Sequence, residues 1–136
     1  MKFLVDTNIL SEPTKPLPNP NVEKWIADHE ADFYTSSLVI AELLNGLEKL
    51  PDGERKRRLS LQIEKLIEKL SGRILSFNLR VAREWVLLQS ELRSKAPMSW
   101  EDSIIAATAR HHGLTLATHN TADFVNAGVR IFDPFS

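Results

Sequence analysis

Phe3-Leu4-Val5-Asp6-Thr7-Asn8 is the stretch on which the fold is decided. Three apolar residues, one of them β-branched, run straight into three polar ones. Such a run reads as a short buried strand that ends in a polar turn. Working outward, Ile74-Leu75 and Phe33-Tyr34-Thr35 read as two further strands. Leu114-Thr115-Leu116-Ala117 and Val129-Arg130-Ile131-Phe132 read as two more, the last halted by Pro134.

Helical patterns lie between these strands. Four prolines between Pro13 and Pro20 preclude regular structure there and predict a loop. Asn21 is the expected cap of a helix through Val22, Trp25 and Ile26. After Ser37 a helix is expected from Leu38 to Leu50. Its apolar stripe is Ile40, Leu43, Leu44, Leu47 and Leu50, and Pro51-Asp52-Gly53 stops it. The cleanest period follows, in Leu59, Ile63, Leu66, Ile67 and Leu70, ending before Gly72. Leu79, Ala82, Trp85, Val86 and Leu92 mark another helix, and Trp25 and Trp85 fit the core stripes. Ser99 caps a helix from Trp100 to His112 that Gly113 ends in a left-handed turn. Thr118 to Phe124 reads as a polar turn or short helix. Strands alternating with helices predict an α/β fold in three layers, α/β/α, around a mainly parallel sheet.

Bulk properties bound the function. A chain of 136 residues suits one domain spanning 1–136. Hydrophobic residues at 43% and charged residues at 26% are the balance of a folded globular protein. The formal net charge of −1 gives no chain-wide attraction to nucleic acid, so any such contact must come from a local basic patch or from a bridging cation. The densest patch is Arg55-Lys56-Arg57-Arg58, with Lys65 and Lys69 beyond it; a solvated helix start is the plainer reading of that run. No cysteine is present, which excludes disulfides, thiolate catalysis and cysteine-type zinc sites. The apolar start is too short for a signal peptide and no segment reaches a membrane span, so a cytoplasmic protein without membrane contact is expected.

Candidate chemistry rests on four acids. Open parallel sheets gather ligands beyond the carboxyl ends of their strands. Asp6 follows the first strand and Asp123 follows the fourth by a few residues, although turns favour Asp for their own reasons. Asp102 has Ile105, Ala106 and Ala109 at spacings of three, four and seven, so it continues the apolar stripe of its helix. A first-turn acid serving the helix dipole, like Glu101 beside it, is an equal reading. Glu42 stands in an otherwise apolar helix start and is either buried for a purpose or at the edge of the stripe. Taken together the four explain one another. Clustered carboxylates repel, and a hard divalent cation with oxygen-only ligation, Mg²⁺ or Mn²⁺, offsets the repulsion and can activate water against a phosphodiester. Thr7, Asn8, Thr118 and Asn120 are the hydroxyls and amides that could orient the acids.

At these residues the chain resembles the PIN-domain nucleases, in particular VapC- and FitB-like toxins. The likeness is carried by Val5-Asp6-Thr7-Asn8-Ile9-Leu10-Ser11-Glu12, by Ser36 to Gly46 with Ala41-Glu42-Leu43-Leu44-Asn45-Gly46, by Glu101-Asp102-Ser103-Ile104-Ile105-Ala106-Ala107-Thr108-Ala109, and by Leu116-Ala117-Thr118-His119-Asn120-Thr121-Ala122-Asp123-Phe124. Each motif alone is weak; four in family order along essentially the whole chain are strong. The resemblance implies Asp6 and Asp102 as leading metal ligands, with Glu42 and Asp123 completing the cluster. It also implies RNA cleavage, a cognate antitoxin and a homodimer, with higher assembly in the antitoxin complex. Val39 departs from the pattern where Thr is common, and His119 where Arg is common. The second departure bears on phosphate contacts and their pH dependence, because histidine titrates near neutrality.

Other residues are weighed against plainer roles. His111 and His112 diverge by about 100° as helix neighbours and cannot share an ion, so both are assigned to the surface. Trp100 either stacks a base or packs against a neighbouring helix or subunit. Two competing functions stand beside ribonuclease. A phosphatase using Asp6 as nucleophile would want an acid where Asn8 stands. A catalytically weak PIN-fold interaction module would not need four intact acids.

Overall fold

Asp6 ends strand β1 (Phe3–Val5), which occupies the middle of a five-stranded sheet of order β3-β2-β1-β4-β5. The structure is a computed structural model that describes all of residues 1–136. The other strands are β2 (Phe33–Ser36), β3 (Ile74–Leu75), β4 (Thr115–Ala117) and β5 (Ile131–Phe132), and every pairing is parallel. In β1 all three residues are buried, with Leu4 and Val5 fully so, as a strand covered on both faces requires. Phe3 pairs with Phe33 on one side and Thr115 on the other. The chain builds the sheet outward from β1 through β2 to β3, then returns to the other side of β1 for β4 and β5. The order therefore reverses between β1 and β4, and it is beyond the carboxyl ends of the strands at such a reversal that open parallel sheets form a crevice for their ligands.

Six helices connect the strands: α1 (Thr7–Ser11), α2 (Pro20–His29), α3 (Ser37–Glu48), α4 (Glu54–Lys69), α5 (Leu79–Glu91) and α6 (Trp100–His112). The expected α/β architecture with a parallel sheet is thus observed. A single core joins strand residues to Val39, Ile63, Leu88, Ile105 and Phe124. Trp25 lies in it, with its ring centroid 5.0 Å from both Phe3 and Phe33.

Three details differ from the sequence expectation. Thr7-Asn8 is not a plain turn but the start of α1, capped by the Asp6 side chain accepting from the Thr7 N–H. The cap of α2 is Asn19 rather than Asn21: Oδ1 of Asn19 accepts from the N–H groups of Asn21 and Val22, and Pro20 takes the first helical position, where its missing N–H costs nothing. The Pro-rich loop before it is pinned by Glu12, only 3% exposed, whose Oε2 accepts from Asn19 N–H at 2.9 Å and whose Oε1 lies 2.9 Å from Lys15 Nζ. Lys15 first, then the Asn19 N–H, holds this carboxyl below its ordinary range.

The third difference is the phase of α5. Its inward face is Val81 and Leu88, while Leu79 and Val86, expected in the stripe, stand 67% and 59% exposed. The helix has two apolar faces, and a single-face reading merges them. Trp85 is half-buried and fixed to α6 by its Nε1–H donating to Ser103 Oγ at 2.8 Å. Leu44, expected inward on α3, is likewise exposed.

Candidate active site

Asp6 is delivered to the crevice by the end of β1 and held there by three donors. The Thr7 N–H reaches Oδ1 at 2.8 Å, while Thr118 Oγ1 and Asn8 Nδ2 reach Oδ2 at 2.9 and 3.3 Å. Thr118, fully buried at the end of β4, is the hub. Its hydroxyl donates to Asp6 and accepts from Asn8 Nδ2 at 3.2 Å and from the Asn120 N–H at 3.1 Å. The two strand ends at the reversal point are therefore tied through one carboxylate. Asn8 also ties outward, its Oδ1 accepting from the His119 N–H at 3.0 Å.

Glu42 projects from α3 and is half-buried. Thr7 Oγ1 donates to its Oε2 at 2.7 Å, which couples the second acid to the residue after the first. Val39, one turn earlier, is fully buried in the core and faces away from polar partners, so Thr7 supplies the hydroxyl contact. Asp102 rides on the first turn of α6, where Ser99 caps the helix by accepting its N–H at 3.1 Å. The run Ser103 to Ala109 is buried throughout, so this part of α6 is enclosed on all sides and not along one stripe alone. Asp123 is exposed, on the short 3₁₀ turn Thr121–Phe124 anchored by buried Phe124. Asn120 contributes its backbone rather than its amide: its C=O accepts from the Asp123 N–H.

The acids share one electrostatic neighbourhood. Burial pushes the Asp6 carboxyl above its ordinary value; its Thr7 and Thr118 hydrogen bonds oppose the rise, and Glu42 adds to it. Burial likewise raises Asp102, Ser99 opposes, and the charges of Asp6, Asp123 and Glu101 raise it further. None of the four sequence-expected acids forms an ion pair with a lysine or arginine. Negative charge gathered without a counter-charge is the arrangement that a hard cation stabilises, and the donors are all oxygen. No three of these carboxylates converge closely enough to form a closed cage by themselves. A magnesium site needs only one or two carboxylates, because the ion keeps several of its waters.

Of the remaining expected residues, the basic run on α4 is solvated: Arg57 pairs with Glu54 and Lys56 with Asp52, while Arg55 and Arg58 stand exposed. His112 is exposed and His111 partly so, on the last turn of α6. Trp100 is 60% exposed. Sequence reasoning missed Glu12 as a structural pin and Asp133 as the partner of His119, described below. For the first, Asn19-Pro20 was the available signal.

A parallel sheet whose order reverses beside its first strand, with carboxylates near that reversal, defines a class of small α/β domains. Within that class the chain belongs to the PIN domain family, whose model matches residues 3–129. The chain is 38% identical over 136 residues to Toxin FitB of Neisseria gonorrhoeae, covering 98% of each chain. It is 34% identical to a VapC ribonuclease, Y4jK, of Sinorhizobium fredii, covering 98% and 97%. Its fold superposes with a TM-score of 0.93 at 34% identity on a chain in a structure of FitAB bound to a DNA fragment, covering 98% and 96%.

Proposed function

We propose that this protein, acting as one domain over residues 1–136, is a Mg²⁺- or Mn²⁺-dependent endoribonuclease. We further propose that it is the toxin of a type II toxin–antitoxin module, neutralised by a cognate antitoxin in the cytoplasm. The observation that carries the reading is that burial raises both the Asp6 and the Asp102 carboxyl, with Glu42 adding to the first and Asp6 to the second, while neither pairs with a lysine or arginine. The relatives named a toxin and a ribonuclease support the same reading.

Asp6 and Asp102 would hold the cation, with Glu42 and Asp123 joining directly or through water. A bound ion would supply polarisation of a phosphodiester and activation of water for its hydrolysis. Thr118 and Asn8 fix the Asp6 carboxylate so that one lone-pair direction stays open. Thr7 does the same for Glu42. Asp123, being exposed, sits where a water or leaving oxygen can reach it and can pass a proton. Cleavage of a single-stranded RNA is expected with added Mg²⁺ or Mn²⁺ and is expected to stop with chelator. Undiminished cleavage by chelated protein would remove the proposal. A chain that binds a protein partner but neither cation nor RNA would instead be the interaction module, a reading favoured by the incomplete carboxylate cage.

Binding of RNA must draw on local positive charge. Reversing Arg57 and Arg58 to Glu is expected to weaken RNA binding several-fold and to flatten its salt dependence by about 0.7 per lost phosphate contact. Fluorescence anisotropy across a salt series checks this, and an unchanged slope dismisses the patch.

Two partner surfaces follow the same logic. A groove of about 450 Å³ among α1 to α4, lined by Leu10, Ile26, Leu43, Leu59, Ile63 and Leu66, reaches Thr7 and Glu42 at its acidic end. An amphipathic antitoxin segment fits such a lining, and the related FitB chain is held with a second component on DNA. For the homodimer, the outer face of α5 offers Leu79, Val86 and Leu87, all more than half exposed, with Trp100 exposed at the head of α6. Val86→Glu with Leu87→Glu is expected to shift sedimentation toward the monomer without unfolding the chain. A wild-type protein that sediments as a monomer at micromolar concentration would remove the dimer.

A further inference from the structure

The four acids leave the crevice repelling its own substrate, and the exposed cations of α4 are on a different element. One imidazole is built into the carboxyl edge of the sheet itself. His119 follows the hub residue Thr118 at the end of β4, and its main-chain N–H is fixed by Asn8. Its ring lies against Phe135 with centroids 4.1 Å apart. Nδ1 is 3.2 Å from Asp133 Oδ2 and 3.3 Å from Oδ1. A carboxylate only accepts, so Nδ1 carries its proton toward Asp133 and Nε2 is left as the free nitrogen. Asp133 is itself fixed, accepting from the Phe135 N–H at 2.9 Å, and β4 is tied to the same segment by the Thr118 N–H donating to Phe132 O.

The histidine is held on three sides yet its side chain is 53% exposed, against 20% for Asp133. That combination is not what packing alone produces. An ordered ring with one nitrogen turned outward is a positioned donor once the imidazole is protonated. The charged groups acting on it are Asp133 from the C-terminal turn and Glu12 from the 3₁₀ turn after α1, the latter already paired to Lys15.

We propose that His119 is a phosphate-binding residue for RNA, donating from Nε2 to a backbone phosphate flanking the cleaved one, and that Asp133 is its positioning residue. The proposal deepens the ribonuclease reading and rests on it. An imidazole donates to a phosphate more strongly when protonated, so the contact is read in half-saturation at two pH values, apart from the maximal rate that the carboxylates govern.

Single-turnover cleavage of a short labelled single-stranded RNA, with Mg²⁺, at about pH 6 and about pH 8, separates the half-saturating concentration from the maximal rate. His119→Gln is expected to raise half-saturation about tenfold at the lower pH, the effect of one hydrogen bond to a charged group, with the maximal rate little changed. At the higher pH the variant and the wild type should converge. His119→Arg is expected to restore tight binding at both, because guanidinium keeps its charge. Asp133→Asn should weaken the wild type at the lower pH but leave the His119→Arg variant unaffected. Equal half-saturation for wild type and His119→Gln at the lower pH, or His119→Arg no better than His119→Gln, overturns the assignment and returns the ring to packing on Phe135. Wild-type protein that neither binds nor cleaves RNA at either pH overturns the ribonuclease reading together with it.

Discussion

Asp102→Asn is expected to abolish RNA cleavage and to raise the melting temperature of the cation-free protein in the same stroke. Loss of activity follows from the proposed role as cation ligand. Residues that merely orient a ligand cost about 10–100-fold when changed, so loss of the ligand itself should reach at least the upper end of that range. The gain in stability follows from burial, the first cause of the raised Asp102 carboxyl, and from the neighbouring charges of Asp6, Asp123 and Glu101. An asparagine keeps the shape and the backbone N–H on Ser99 while removing the charge. A small rise is expected, limited by solvent screening because Asp102 is only half-buried. Asp6→Asn should lose cleavage equally but gain no stability, because its carboxylate accepts from Thr7, Thr118 and Asn8 and an amide cannot satisfy all three. Scanning calorimetry with chelator, paired with a cleavage assay, reads both effects. An Asp102→Asn protein that cleaves at the wild-type rate contradicts the role, and one that melts lower contradicts the electrostatics.

The second large effect is a change in the pH dependence of stability when cation is added. Asp6 and Asp102 both titrate above their ordinary values in the fold. Between the unfolded value, about 4, and the raised folded value, the native state binds more protons than the unfolded state, so stability falls as pH rises through that window. Glu12 acts in the opposite sense. Its lowered value adds stability that is present above the unfolded carboxyl value and is lost as pH falls through the folded one. The raised pair is therefore read above about pH 4 and the lowered carboxyl below it. Cation-free wild type is expected to lose stability relative to Asp102→Asn on going from mildly acid to neutral pH. Saturating Mg²⁺ or Mn²⁺ should reverse that loss, because the ion binds the deprotonated carboxylates of the native state and releases protons. Denaturant melts at several pH values, with and without cation, measure the difference; curves that stay parallel would remove the coupling.

Much of this was legible in the chain because strong local signals agreed with the fold. β1 could be read from three apolar residues ended by Asp6, and α6 from Ser99, Gly113 and a period of small residues. That period left Asp102 between a stripe position and a first-turn acid serving the helix dipole, and the fold makes it half-buried. Short or composite signals were harder. The five residues of α1 carry too little pattern to separate a helix from a turn, and Asp6 serves both as cap and as site residue. Asn21 was expected to cap α2, but Pro20 fits the first helical position, which moves the cap back to Asn19. In α5 the second apolar face hid the phase, since a helix that buries one stripe and exposes another looks hydrophobic in both registers. Glu42 and Asp123 could be nominated but not placed, because their approach to Asp6 depends on the crossing of elements far apart in sequence. The pairing of His119 with Asp133 likewise depends on β5 lying beside β4.

Calorimetric titration of Mn²⁺ into wild type, Asp6→Asn and Asp102→Asn at neutral pH tests the central claim most directly. The account predicts saturable binding with proton release in the wild type and its loss in both variants, each of which remains folded. Equal affinity in all three proteins, or no binding in the wild type, would contradict it.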